Sequence, residues 1–164
     1  MFEKIRKMKN QKGFTLVELI VVLVILAILA AMLVPALTGY IDKANNQKNI
    51  ATTRQVVMAA QTEISEVYSK DKLVNDTITI THDAVAANPA TDKITGKSIV
   101  ELAEVGTIGE AADAKYSLKN GIESIVIKYD KSNGHVKEVV LTQGAKTCTY
   151  KEGEAESYNV TPKQ

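Results

Sequence analysis

One cysteine, two histidines and no tryptophan in 164 residues close off several kinds of chemistry at once. Cys148 alone cannot form an intramolecular disulfide. His82 and His135 stand 53 residues apart, outside any metal-ligand spacing with Cys148 or an acidic cluster, so no metal site is expected. No Gly-x-Ser-x-Gly elbow, Walker-type loop or paired-carboxylate signature occurs. With no catalytic residue and no cofactor to assign, the chain reads as a non-enzyme. Cys148 itself alternates with Thr147 and Thr149 and shares a face with Tyr150, the pattern of a buried structural thiol.

Charge is missing in one place above all. From Leu19 to Leu37 no side chain is charged or hydrogen-bonding, and Glu18 is the only charge from Phe14 to Leu37. Those 24 residues hold 21 of the apolar residues, whereas 38–164 hold only 49 in 127 positions, with tyrosine as the sole aromatic. As a helix the segment 14–37 is about 36 Å long at ~1.5 Å per residue, enough for a ~30 Å hydrocarbon core. Its apolar residues show no polar face, so it reads as a membrane span and not an amphipathic helix. Pro35 and Gly39 sit at its end and are expected to interrupt the helix.

Ahead of the run lies a basic leader. Residues 1–12 carry Lys4, Arg6, Lys7, Lys9 and Lys12 against Glu3, which holds this end in the cytoplasm and sends the rest outward. An ordinary secretory signal places its apolar core before the cleavage site and loses it. Here the small residue Gly13 precedes the apolar run, so a cut after it keeps the run in the mature chain. Loss of residues 1–13 removes five basic groups and one acid and takes the formal charge from +1 to −3. Such a chain offers no electrostatic case for nucleic acid as a specific partner.

The stretch Lys12-Gly13-Phe14-Thr15-Leu16-Val17-Glu18, followed by the apolar run and Pro35, resembles the N-terminus of type IV prepilins and pseudopilins. The resemblance covers Lys12 to Leu37 and is silent on the rest. It implies cleavage between Gly13 and Phe14 by a prepilin peptidase, N-methylation of Phe14, and an assembly role for Glu18. An ionised carboxylate in hydrocarbon costs about 2.5–3.5 kcal/mol on insertion scales, so Glu18 needs a compensating partner or a position at the membrane edge. The resemblance supplies a partner, the amine of a neighbouring subunit's Phe14. It also implies a homopolymer of pilin subunits, a platform protein and an assembly ATPase, with the membrane as host before assembly. The lone Cys148 departs from the many Gram-negative pilins whose C-terminal loop a disulfide closes. The source is accordingly read as Gram-positive.

Downstream, the expected divisions are a leader over 1–13, an apolar helix over 14–37, an amphipathic second half over 38–70 and a head over 71–164. Ile50, Val57, Ala60, Ile64 and Val67 recur at intervals of 7, 3, 4 and 3, one core-facing stripe. Lys48, Asn49, Arg54, Gln55, Thr62, Glu63 and Glu66 form the opposite, solvated face. Thr77–Thr81 alternates as a short strand, and Ala84–Asp92 with Asn88-Pro89 reads as loop. Ser98 and Glu101 have capping-box spacing for a helix over Ile99–Val105, ended by Gly106 and Gly109. From Ile122 the period becomes two. Strands are expected over Ile122–Tyr129, Val136–Thr142 and Ala145–Lys151, with a fourth at the edge over Ser157–Thr161. The fold class is thus α+β, a long N-terminal helix whose second half covers an antiparallel sheet, which is also the layout the resemblance implies.

The expected function is that of a structural subunit, the major pilin of a surface filament. One alternative is a pseudopilin or minor pilin of a type II secretion or competence system. Another, of a different class, is a single-span anchor for an extracellular binding domain that never polymerises.

Overall fold

The computed structural model describes residues 13–82, 94, 96–108 and 116–163. The leader over 1–12, the loop over Ala84–Asp92 and Gly109 lie outside the described residues. The chain divides into two compact units, Met1–Lys43 and Ala44–Gln164. Helix α1 (Leu16–Lys70) supplies residues to both, and the remaining elements belong to the second.

In the first unit the sequence dictates a helix without a core. Leu, Ile, Val and Ala follow one another on every face, and the large apolar side chains from Leu16 to Leu37 are all at least half exposed. The interruption expected at Pro35 and Gly39 does not break the helix, because both lie inside α1. A proline there forfeits one backbone bond, and the Leu- and Ala-rich flanks keep the remainder favourable. The Thr38 hydroxyl donates to the Pro35 carbonyl at 2.8 Å, adding a local bond just past the proline.

The second unit has two layers. Five antiparallel strands stand in the order β1-β4-β5-β6-β7: β1 (Thr77–Thr81), β4 (Ile122–Tyr129), β5 (Val136–Gln143), β6 (Lys146–Lys151) and β7 (Tyr158–Pro162). The period-two pattern fixes the register. Ile125 faces Leu141 and Ile127 faces Val139, while Leu141 faces Cys148. All five are fully buried, so one face of the sheet is a continuous aliphatic surface. The four strands expected at the C-terminal end are present. β1 was expected as a strand, but its place beside β4 was not.

The later part of α1 covers that face, rotated from the expected stripe. Its buried residues are Asn49, Thr52, Thr53, Val56, Ala59, Ala60 and Ile64. Val57 and Val67 lie only at the margin of the core. Asn49, placed by sequence on the solvated face, is therefore a correction. Helical geometry lets a threonine satisfy its hydroxyl on the carbonyl four residues back. Thr53 does this with Asn49 at 2.8 Å and Thr52 with Lys48 at 3.0 Å. Polar residues thus enter the buried face without an unpaired hydroxyl, and a stripe read from apolar residues alone misses them.

Helix α2 (Gly96–Leu102) starts three residues earlier than the capping-box spacing suggested and ends before Val105. Its end is a Schellman closure: Glu104 takes φ 56° and donates to Glu101, while Val105 donates to Val100 at 3.1 Å. Gly106 then opens a strand instead of merely ending the helix. β2 (Gly106–Ile108) pairs with β3 (Tyr116–Leu118) as a separate two-stranded sheet, an element the sequence reading lacked. A Cβ on Gly106 would meet the Ser117 carbonyl oxygen at 2.7 Å, so this pairing needs glycine.

The β4–β5 hairpin is tied to α1 by two side chains, Gln61 and Tyr68. Gln61 Nε2 donates to the Gly134 carbonyl at 2.8 Å, and Gln61 Oε1 accepts the Val136 N–H at 2.9 Å. Tyr68 donates to the Ser132 carbonyl at 2.7 Å and packs against Gly134, whose φ is +70°. Gln61→Ala leaves two backbone groups without their partner. It should cost about 1–3 kcal/mol, read as a lower urea midpoint with an unchanged m-value in a chain truncated before Tyr40.

Within this hairpin Lys137 Nζ lies 2.9 Å from Asp130, and Ser132 donates to Asp130 from both its N–H and its hydroxyl. The lysine first, then the serine, hold the Asp130 carboxyl well below its usual range. A depressed carboxylate stabilises the fold fully above the unfolded pKa of about 3.9, and that contribution fades as pH falls toward the lower folded value. An NMR titration should therefore find Asp130 still ionised below the usual aspartate range, and Lys137→Ala should move its midpoint back up toward that range.

Candidate functional site

The site is built where α1 begins. Gly13, Phe14 and Thr15 precede the helix, and Thr15 is its N-cap. Thr15 and Glu18 form a reciprocal capping box. Glu18 Oε2 accepts the Thr15 N–H at 2.8 Å and the Thr15 hydroxyl at 2.8 Å, while the Glu18 N–H points to Thr15 Oγ1 at 3.3 Å. The first helical bond, Leu19 N–H to the Thr15 carbonyl at 3.3 Å, follows. A carboxylate in the first turn also complements the positive end of the helix dipole.

Glu18 thus has a structural task inside its own chain, and Thr15 shares it. The signal for Thr15 was present in the sequence as Thr-x-x-Glu. Both bonds fall on Oε2, and a carboxylate offers about four acceptor positions. The box therefore leaves room for a further donor, such as an ammonium group arriving from outside.

Gly13 has no structural reason of its own. Nothing lies within 4 Å of where its Cβ would sit, and its backbone is not in the left-handed region. Gly39 is similar: it sits in a helix, where glycine costs about 1 kcal/mol relative to alanine, with nothing within 4 Å of a Cβ there. Phe14 is 78% exposed. The positions where cleavage between Gly13 and Phe14 and methylation of Phe14 are expected thus include an exposed side chain.

The apolar run between Glu18 and Leu37 makes α1 long and apolar enough to cross a membrane, with a mean hydropathy of 3.2 and no part of that window buried. The core helix of a soluble protein would be covered by its neighbours; this one is bare.

The other residues singled out by sequence are not drawn together. His82 Nε2 lies 3.0 Å from the Ile122 carbonyl, and His135 Nδ1 lies 3.5 Å from Glu152. Cys148 is buried, and burial pushes its thiol up, against a smaller opposing effect of the Thr53 hydroxyl. A thiol held protonated beneath a helix is a packing group. Among the described residues no three His, Cys, Asp or Glu side chains converge as a metal site would require.

The family model for the prokaryotic N-terminal methylation motif matches residues 8–34. No solved structure matches the chain. The match finds no support for the Gram-positive source expected from the single cysteine. It covers Gly13, Phe14, Thr15, Glu18 and most of the bare helix. The chain carries the type IV prepilin and pseudopilin signature, at the head of a helix whose continuation packs on an antiparallel sheet.

Proposed function

We propose that this chain is the precursor of a major type IV pilin. A prepilin peptidase cuts it between Gly13 and Phe14, Phe14 is N-methylated, and the mature chain polymerises through its apolar helix into a surface filament. The observation that carries the reading is a bare apolar helix lying behind the cleavage motif, so that processing retains it. Lipid covers the helix first and neighbouring copies of it cover it afterwards. Both surroundings are apolar, so little hydrophobic free energy is lost in the transfer. A platform protein and an assembly ATPase are the partners such an extraction requires.

Processing is tested by intact mass. Surface protein should begin at Phe14 and carry one added methyl group, and retention of residues 1–13 would refute the cut. Gly13 to a bulky residue should block maturation without blocking insertion, because the glycine is not needed by the chain's own fold.

The capping box sharpens the test of Glu18. Glu18→Ala removes both the cap and the charge. Glu18→Gln keeps a capping side chain, since glutamine serves at this position too, and removes only the charge. If Glu18 pairs with the Phe14 amine of the next subunit, either change leaves that amine unpaired in an apolar bundle, at a cost of about 3–5 kcal/mol. Both variants should then reach normal membrane levels and give few or no filaments by electron microscopy. Wild-type filaments from Glu18→Gln would reduce Glu18 to a helix cap.

A further inference from the structure

We infer that, before assembly, the end of the head next to the membrane span rests on anionic lipid headgroups through a collar of lysines. The inference depends on 14–37 being a membrane span. It adds a second contact with the bilayer, made by the folded head.

The collar is assembled by turns from distant parts of the sequence. The Asn120-Gly121 turn and the Gln143–Ala145 turn are joined by two bonds: Gly144 N–H to the Gly121 carbonyl at 3.1 Å, and Gln143 Nε2 to the Asn120 carbonyl at 2.7 Å. The chain end joins them, since Lys163 N–H donates to the Ala145 carbonyl at 2.8 Å. Lys146 Nζ then donates to Asn46 Oδ1 at 2.7 Å, fastening the group to the first residues of this unit. Lys119, Lys146 and Lys163 are thereby gathered at one end of the sheet, the end where α1 enters this unit four residues before Lys48. Lys48, Lys119 and Lys163 are exposed.

The charge of this end opposes that of the head as a whole. Residues 44–164 hold 14 basic and 16 acidic residues, a formal −2. Among the described residues, the four lysines of this end are accompanied by two acids, Glu123, which pairs with Lys163, and Glu104, which adjoins Val105, the residue whose carbonyl accepts the Lys119 N–H. Asp42 and Lys43, just before this unit, cancel.

Chain length keeps the collar near the bilayer. Lys48, the first lysine of the collar, follows Leu37 by eleven residues, about 16 Å as helix. The headgroup layer beyond the hydrocarbon takes up about 5–8 Å of that, which leaves the lysine about one Debye length (~8–10 Å) from an anionic surface, the range over which the two attract. Tyr40, 73% exposed on α1 just past the apolar run, is the kind of residue that settles at a headgroup layer.

The test is lysine acylation, followed by mass spectrometry, on the mature full chain in two kinds of vesicle. One is phosphatidylcholine alone; the other contains phosphatidylglycerol. Lys48, Lys119 and Lys163 should react several-fold more slowly in the anionic vesicles, and added salt should remove the difference. Lys70, Lys72 and Lys131, at the far end of α1 and on the opposite hairpin, should react equally in both. The double variant K48E/K119E, two exposed positions, should keep its circular dichroism spectrum and lose the protection at Lys163. Equal rates in the two vesicles would overturn the inference. So would protection that follows protein density instead of phosphatidylglycerol, because neighbouring copies would then be the cover. Carbonate extraction of the chain from the vesicles would instead refute the span itself.

Discussion

A helix with apolar residues on every face and no cover among the described residues cannot be left in water. At about 25 cal/mol per Å², each Leu or Ile that stays exposed forgoes on the order of 2 kcal/mol, and α1 repeats that penalty turn after turn from Leu16 to Leu37. The rest of the molecule is arranged around this debt. The segment must be covered from outside, and its lack of any polar stripe means that the cover has to surround it. Lipid does so, and so does a bundle of like helices. A partner presenting a single groove does not. The same property explains why the head must fold without help from this segment. Its core is complete from Val56 to Leu141, with Ile64, Ile80, Ile99, Ile125 and Ile127 fully enclosed.

Against that uniform background Glu18 carries two demands at once. Inside one chain it is half of a capping box, and the box relieves part of the cost of placing a carboxylate at the edge of an apolar run. Its oxygen accepts two hydrogen bonds from Thr15 and lies at the positive end of the helix. That arrangement belongs to the single molecule and says nothing of neighbours. The need for a counter-charge is additional, because hydrogen bonding to neutral donors does not cancel a net charge. A position can thus be fully explained by local structure and still have charge to offer. Only a change that separates the two, such as glutamate to glutamine, tells them apart.

Legibility in the sequence followed the strength of periodicity. The strands from Ile122 onward were plain because the inward residues Ile125, Ile127, Tyr129, Val139 and Leu141 alternate, despite register shifts at Ile122/Ser124 and Lys128/Tyr129, and glycine marks the turns, with φ +70° at Gly134 and +57° at Gly144. The motif at Gly13–Glu18 was equally plain, because a lone acid at the mouth of a charge-free run has few explanations. Two features were hidden. The buried face of α1 includes Asn49, Thr52 and Thr53, whose polar atoms find partners within the helix, so hydrophobicity alone pointed about one residue around the wheel. The β2–β3 pair has strands of three residues, too short for any period to show, and its key residue, Gly106, looked like a helix stop. Thr15 was missed differently. Its spacing to Glu18 was the same as that of Ser98 to Glu101, yet the apolar run drew attention to the charge alone.

The continuity of α1 through Pro35 and Gly39 bears on how one chain would serve the two surroundings of the proposed function. In a membrane, the carbonyl that Pro35 leaves without a backbone donor lies in a region with no water to satisfy it, and the cost of an unpaired group there is several kcal/mol. Placing the proline two residues before the end of the apolar run puts that carbonyl, of Ala31, in the last third of the run and away from its centre. Gly39, one turn on, has nothing within 4 Å of a Cβ among the described residues and so leaves space beside the backbone. The two residues that weaken the helix are thus confined to the stretch that crosses from hydrocarbon to water. Upstream, the helix runs through the charge-free apolar stretch, away from water. Downstream, the sheet holds it through Thr53, Val56, Ala60, Gln61 and Ile64. A change of helix geometry between lipid and filament would therefore be cheapest between Pro35 and Gly39, because there neither packing nor desolvation opposes it.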